Sequence, residues 1–157
     1  MKDYSIRSAT RDDHDRIYAL KAEDVRPYVE RIWGWDEDYQ RKDFENDWTS
    51  TGQFYVVETE GGFAGFLQCC CGTLYYEVAE LHLLPEYRGQ GVGSHILRRL
   101  QTACAVQGKK MRIGCFKENK RAKALYLKLG FRQIEETDTH YILEYPLQQK
   151  ITGQLGS

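Results

Sequence analysis

The sequence predicts a mixed α+β domain built on one sheet. Three observations carry that prediction. Short runs alternate apolar and polar residues with the period of a strand, longer runs repeat apolar residues with the period of a helix, and turn residues separate them. The resulting order is strand, helices, three antiparallel strands, helix, strand, helix and two strands. A chain of 157 residues suits one compact domain burying about 70% of its unfolded surface. Residues 1–147 are read as that domain, and 148–157, QQKITGQLGS, as a flexible or partly expression-derived tail without a packing pattern.

Along the chain, YSIRSA alternates as a short strand. TRDDHDRIYALKAE supplies acidic capping residues and an apolar stripe at Ile17, Leu20 and Val25, hence a helix. Residues 26–48 read as two helical pieces broken at Gly34, with Asp36 capping the second. GQFYVVETEGGFAGFLQCCC is a hairpin about Gly61-Gly62, and YYEVAELHLL is a further strand ending at Pro85. Val92, Ile96, Leu100 and Ala103 mark a helix to about Gln107. Lys110 to Cys115 is a strand, a helix capped by Asn119 stops at Gly130, and FRQIEET and HYILEYPL are closing strands.

Composition narrows the function. Twenty-two Lys and Arg balance 23 Asp and Glu, so no net field draws the chain to nucleic acid or membrane. No apolar run is long enough to span a bilayer, and MKDYSIRSATRDD lacks the apolar core of a signal peptide, so a cytoplasmic location is expected. Five cysteines without CxxC spacing argue against a disulfide framework and against a zinc site; no metal is expected.

The stretch PEYRGQGVGSH puts glycines at 89, 91 and 93 behind Arg88 and ahead of a helix. Glycines let a ligand approach the main chain, and a helix start offers unpaired N–H groups to an anion such as phosphate. Neither a Walker loop nor a Rossmann fingerprint fits: no G-K-[ST] follows, and the position three beyond Gly91 is Ser94. Arg88-Gly89-Gln90-Gly91-Val92-Gly93 does match the [QR]-x-x-G-x-[GA] signature of the GNAT superfamily of acetyl-CoA-dependent N-acetyltransferases, with LHLLPEY upstream. Residues 118–131, ENKRAKALYLKLGF, resemble that family's second motif. The resemblance covers about residues 77–131. It implies a mixed, mostly antiparallel central sheet of about six to seven strands with helices on both faces. It also implies that the backbone of 89–94 holds the pyrophosphate of acetyl-CoA, with Leu84, Arg88, Gly89, Gln90, Gly91, Val92, Gly93 and Ser94 around it. Leu81 and Leu83 would bond the pantetheine arm like an added strand, and Asn119, Ala122 and Tyr126 would meet it from the other side.

Acetyl transfer to an amine needs a neutral amine, a polarised carbonyl and a proton for the leaving thiolate. The N–H of Leu83 is the candidate for polarising the carbonyl. Tyr126 is the candidate acid, sharing a helical stripe with residues 119, 122 and 129; its alternative is a hydrogen-bonded core tyrosine. Glu80 is the first candidate base, with Glu77 and His82 behind it. Strand alternation puts Glu80 and His82 on one face and Glu77 on the other, and all three could simply decorate a solvated face. His14, His95 and His140 show no partner constellation and read as surface residues. Tyr28, Trp33, Trp35 and Tyr39, interleaved with acidic residues, could bind a cationic amine or could be a core stripe.

The reading is therefore an N-acetyltransferase that joins acetyl-CoA and a primary amine, small-molecule or peptide, in a ternary complex. The other reading is a catalytically silent acyl-CoA-binding sensor or scaffold. A homodimer is an expectation from the resemblance alone.

Overall fold

The computed structural model describes residues 3–50 and 52–147, so the tail expected at 148–157 lies outside the described residues. Seven strands form one sheet in the order β1-β2-β3-β4-β5-β7-β6: β1 (Ser5–Ser8), β2 (Gln53–Thr59), β3 (Gly62–Cys71), β4 (Tyr75–Leu83), β5 (Lys110–Phe116), β6 (Arg132–Glu136) and β7 (His140–Tyr145). Every neighbouring pair is antiparallel except β4 and β5, which run parallel. The parallel pair needs a crossover, and α3 (Val92–Val106) supplies it. Helix α4 (Lys120–Lys128) follows β5, while α1 (His14–Ile32) and α2 (Glu37–Thr49) lie between β1 and β2.

The helices divide between the two faces, and each face has its own core. Val57, Leu67, Cys69, Val78, Ile113 and Leu143 pack beneath Val92, Ile96 and Leu97 of α3 and against Leu129 and Phe131. On the other face Val56, Phe54 and Phe66 pack against Ile17, Tyr18 and Leu20 of α1 and Phe44 of α2.

Local chemistry explains where the helices begin and end, and where they differ from expectation. Helix α1 runs unbroken to Ile32 with Pro27 inside it, instead of dividing near residue 25. Pro27 is exposed, so the missing N–H falls on the solvent side, where water can satisfy the freed carbonyl. The break does come at Gly34, whose φ of +80° only glycine adopts readily. Asp36 then caps α2 by accepting from Tyr39 N at 3.1 Å. In α3 the buried stripe passes through Leu97, Gln101 and Cys104, and Ala103 is exposed. Buried Gln101 donates its side-chain N–H to the Leu129 carbonyl at 2.9 Å, tying α3 to the end of α4.

Two features set the site. One is the anchoring of α1: Asp13 is 1% exposed, and its carboxylate accepts from both terminal nitrogens of the Arg7 guanidinium at 2.7 and 2.9 Å, from Arg16 and from the Thr10 N–H at 2.8 Å. The other is a β-bulge in β4. Gln68 of β3 pairs with Glu80, but Cys69 pairs with Val78, so Ala79 is an extra residue. Val78 and Leu81 consequently both face the α3 core. Glu77, opposite Cys70, therefore lies on the same face as Glu80, opposite Gln68. This corrects the simple alternation, which sends Glu77 to the other side.

The hydrogen bonds of the Arg7 guanidinium hold the Asp13 carboxyl far below the ordinary aspartate range, against the opposing effect of burial. A depressed carboxylate contributes stability above its unfolded pKa and loses it as pH falls. Asp13→Asn is expected to cost about 1.5–3 kcal/mol in urea melts at pH 7, since it removes the charge of a buried carboxylate whose Arg7 and Arg16 partners stay partly exposed to water. The difference from wild type should shrink below pH 4; a loss under 1 kcal/mol would contradict the anchor.

Candidate active site

The ladder between β4 and β5 stops early. Its register runs from Tyr75 opposite Lys110 to Val78 opposite Ile113, and no pairing follows. From there the strands separate, and a cleft of about 780 Å³ opens between them. The N–H of Leu84 donates to the Ala64 carbonyl at 2.8 Å. Antiparallel alternation from that bond turns the peptide groups of His82 and Glu80 toward β3. The peptide groups of Leu81 and Leu83 then point across the gap where β5 has withdrawn. Arg88 Nε donates to the Leu83 carbonyl at 2.8 Å, which leaves the Leu83 N–H and both groups of Leu81 toward the cleft.

One end of the cleft is the glycine loop. Gly89 and Gly91 have φ of +71° and +84°, and a Cβ on either would meet nothing within 4 Å, so both border open space. Gly91 is the N-cap of α3, and the first helical bond is His95 N to Gly91 O. The N–H groups of Val92, Gly93 and Ser94 thus have no partner within the helix. Across the gap, the Asn119 side-chain carbonyl accepts from Ala122 N at 3.1 Å, so its oxygen serves as helix cap and its amide N–H groups are left for a ligand.

The base of the cleft on the α1 side holds a chain of charges. His82 Nε2 is 2.7 Å from Glu80 Oε1, and His82 Nδ1 is 2.8 Å from Asp24 Oδ2. Asp24 Oδ1 accepts from Arg88 at 2.7 Å. The imidazole stacks on Phe66 at 5.2 Å between centroids. Burial disfavours the imidazolium, but hydrogen bonds to Asp24 and Glu80 outweigh it and raise the His82 pKa to about 9. Burial likewise pushes Glu80 up, yet the hydrogen bond and charge of His82 leave it below the ordinary glutamate range. At neutral pH this unit is an imidazolium between two carboxylates. Beside it Tyr28 stacks on Phe116 (4.8 Å, 10° between planes), which meets His140 at 4.2 Å. Burial lowers the His140 pKa, opposed by the charge of Glu80. The Tyr126 phenol is pushed well above its usual range by burial first, then by Cys115 and Glu80, and stays protonated at all working pH values.

Most residues singled out from the sequence line this one cleft: Glu77, Glu80, His82 and Tyr126, together with Leu81, Leu83, Arg88, Gly89, Gly91, Val92, Gly93, Ser94, Asn119, Ala122 and Tyr28. Five do not. Leu84 turns back to bond Ala64, and Gln90 donates to the Glu86 carbonyl. Trp33 and Tyr39 are each 63% exposed, and Trp35 donates to Glu37 under the Arg26 guanidinium, all three in or next to the α1–α2 turn. His140, expected on the surface, lines the cleft, and His14 is half-buried between Glu45 and Asp15 against Phe44 and Trp48. His95 is exposed and bonds Tyr4. Asp24, Phe116 and Arg121 also line the cleft, although the sequence did not single them out. Among the described residues no group of His, Cys, Asp and Glu could hold a metal ion, and no helix is long and apolar enough to cross a membrane.

Comparison with known proteins agrees with this geometry. The Acetyltransferase (GNAT) domain family model matches residues 50–133. The chain is 30% identical over 148 residues to an uncharacterized N-acetyltransferase of Archaeoglobus fulgidus, a match covering 83% of this chain and 94% of that protein. It is 35% identical over 60 residues to the thialysine N-epsilon-acetyltransferase of Bos taurus, covering 38% of this chain and only 35% of the relative's length. The fold resembles that of the PaiA N-acetyltransferase of Thermoplasma acidophilum in complex with coenzyme A, at TM-score 0.71 and 17% identity over 90% of this chain and 98% of that one. An acetyltransferase of Thermus thermophilus gives TM-score 0.72 at 17% identity, covering 94% and 98%.

The raised pKa of His82 has a consequence for stability. A group whose folded pKa lies above its unfolded value of about 6.5 contributes stability fully present below that value and lost as pH rises through about 9. Wild type should therefore lose on the order of 3 kcal/mol between pH 6.5 and 9.5 that His82→Gln does not lose. Denaturant melts at the two pH values check this; equal slopes for both proteins would contradict it.

Proposed function

Because the chain belongs to the GNAT family of N-acetyltransferases, we propose that it transfers the acetyl group of acetyl-CoA to a cationic primary amine by direct attack, with both substrates bound together. The observation that carries this reading is the juxtaposition, in one cleft, of the open peptide edge at Leu81 and Leu83 with the Asp24–His82–Glu80 unit. The residues fit coenzyme A: the glycine loop and the α3 start offer N–H groups to its phosphates, and the open edge of β4 offers N–H and C=O groups to the amides of its arm. Acetyl-CoA supplies an activated acyl group as a thioester.

The acceptor side is acidic and aromatic. Glu77, Glu80 and Asp24 line the cleft near the Tyr28–Phe116–His140 rings, a combination that attracts an alkylammonium group by charge and by its fit against ring faces. The bovine relative is named for acetylating an ε-amine, which supports an amine of this kind. An ammonium must lose a proton before it can attack. Glu80 and His82 share one hydrogen bond and titrate as a pair, and the pair accepts a proton only in the form where His82 has given up its own. In this reading the Leu83 N–H, open toward the cleft, polarises the acyl oxygen. The Tyr126 hydroxyl holds the proton that a departing thiolate requires. Cys115 also lines the cleft, but burial raises its thiol pKa, so it is a poor nucleophile and no acetyl-enzyme is invoked.

Purified protein with acetyl-CoA and a panel of polyamines, aminoglycosides, amino acids and peptides, followed by released thiol and product mass, tests the reading. Turnover should rise from pH 7 toward pH 9. Tyr126→Phe should lower kcat about 100-fold while leaving the dissociation constant of coenzyme A within about twofold. Binding of coenzyme A without turnover of any amine would replace the enzyme with an acyl-CoA sensor.

A further inference from the structure

Asp24 is placed where no other residue of the cleft is. It sits one turn from Leu20 and one turn from Tyr28 on the inner stripe of α1, at 22% side-chain exposure, and its two oxygens serve different parts of the site. Oδ2 meets His82 Nδ1 at 2.8 Å, and through the other ring nitrogen His82 meets Glu80 at 2.7 Å. Oδ1 accepts from Arg88 at 2.7 Å, while Arg88 Nε holds the Leu83 carbonyl at 2.8 Å. Arg88 is also the residue that opens the glycine loop. One carboxylate thereby joins the proton-accepting pair, the strand end that carries the Leu83 N–H, and the entrance of the phosphate-binding loop.

We propose that Asp24 is a positioning residue that couples the two substrate sites: it sets the proton affinity and orientation of His82 for the amine, and it fixes Arg88 and the Leu83 peptide for acetyl-CoA. The proposal rests on the acetyl-transfer reading and extends it to a residue that touches neither substrate's reacting atoms. The two duties compete for one charge. His82 and Arg88 are both cations drawing on the Asp24 carboxylate, so weakening one contact strengthens the other. The other titratable groups near the Glu80–His82 pair are Lys21 from α1, Glu77 on β4, His140 on β7 and Tyr126 on α4, and none of them bridges the two sites.

The competition gives shifts of opposite sign in the His82 midpoint, and it is the accompanying, non-additive loss of coenzyme A affinity that separates coupling from a simple loss of nearby charge. In the full chain without substrates, the His82 imidazole titration is followed by NMR. Asp24→Asn should lower the His82 midpoint by about one pH unit or more, and Arg88→Gln should raise it. Calorimetry with coenzyme A should show both variants weakened about fivefold or more, with the double variant no weaker than the worse single one. Asp24→Glu should restore part of each effect. In turnover, the rising limb of kcat/KM for the amine should move down in Asp24→Asn by the shift seen in the titration.

A His82 midpoint that moves the same way in both variants, or not at all in Asp24→Asn, overturns the shared-carboxylate account. So does additivity of the two substitutions on coenzyme A affinity. Should Asp24→Asn fail to fold, Asp24→Glu decides: the displaced carboxylate should shift the His82 midpoint and weaken coenzyme A together, and a change in one without the other overturns the coupling. If no amine is turned over by wild type, the acetyl-transfer reading fails by itself, while titration and calorimetry still score the coupling.

Discussion

The whole arrangement depends on a withdrawn hydrogen-bond ladder. Between Val78 and Ile113 the parallel pairing of β4 and β5 ends, although both strands continue. Peptide groups left without partners are costly unless water or a ligand meets them. The sheet tolerates this gap because each strand is held on its other side, β4 by β3 and β5 by β7 through Phe116 opposite His140. The gap is thus a built edge, able to accept an extended chain of amides in the manner of an added strand. The bulge at Ala79 completes it by turning Glu80 and His82 to the α1 face while Leu81 and Leu83 keep the α3 face.

Helix α1 translates that edge into chemistry. Its start is clamped by Arg7, Arg16 and Asp13 to the first strand, and its middle packs Ile17 and Leu20 into the lower core. A helix fixed at its start carries Asp24 and Tyr28 at defined heights over the cleft, about 6 Å apart along the axis at 1.5 Å per residue. The carboxylate–imidazole–carboxylate unit is consequently assembled from two elements more than 50 residues apart in the chain. Its charges are satisfied within the unit, which accounts for an imidazolium tolerated in a mostly buried position.

Much of this was legible because it is local. The glycine stretch, the Asn119 cap, the hairpin and the strand order follow from residue chemistry within short windows, and the family resemblance rests on the same windows. What was missed is tertiary. The face of Glu77 depends on a one-residue bulge, yet the sequence holds a trace of it: Tyr76 and Val78 are apolar at even positions and Leu81 and Leu83 at odd ones, a change of phase that a continuous strand would not show. Asp24 left a similar trace as a carboxylate on an otherwise apolar helical stripe, as did Gln101 on α3. Trp33, Trp35 and Tyr39 do not line the cleft: Gly34 breaks the chain after α1 and Asp36 starts α2 in a new direction, a placement that their number alone did not reveal. His140 carried no signal at all, since its place is fixed by β7 pairing with β5.

The proposed site for coenzyme A is the open peptide edge of β4. Residue-resolved amide hydrogen exchange with and without saturating coenzyme A tests it most directly. The account predicts that the Leu81 and Leu83 amides become strongly protected on binding, while those of Glu80 and His82, already bonded to β3, change little. Coenzyme A binding that leaves Leu81 and Leu83 exchanging at their free rates would contradict it.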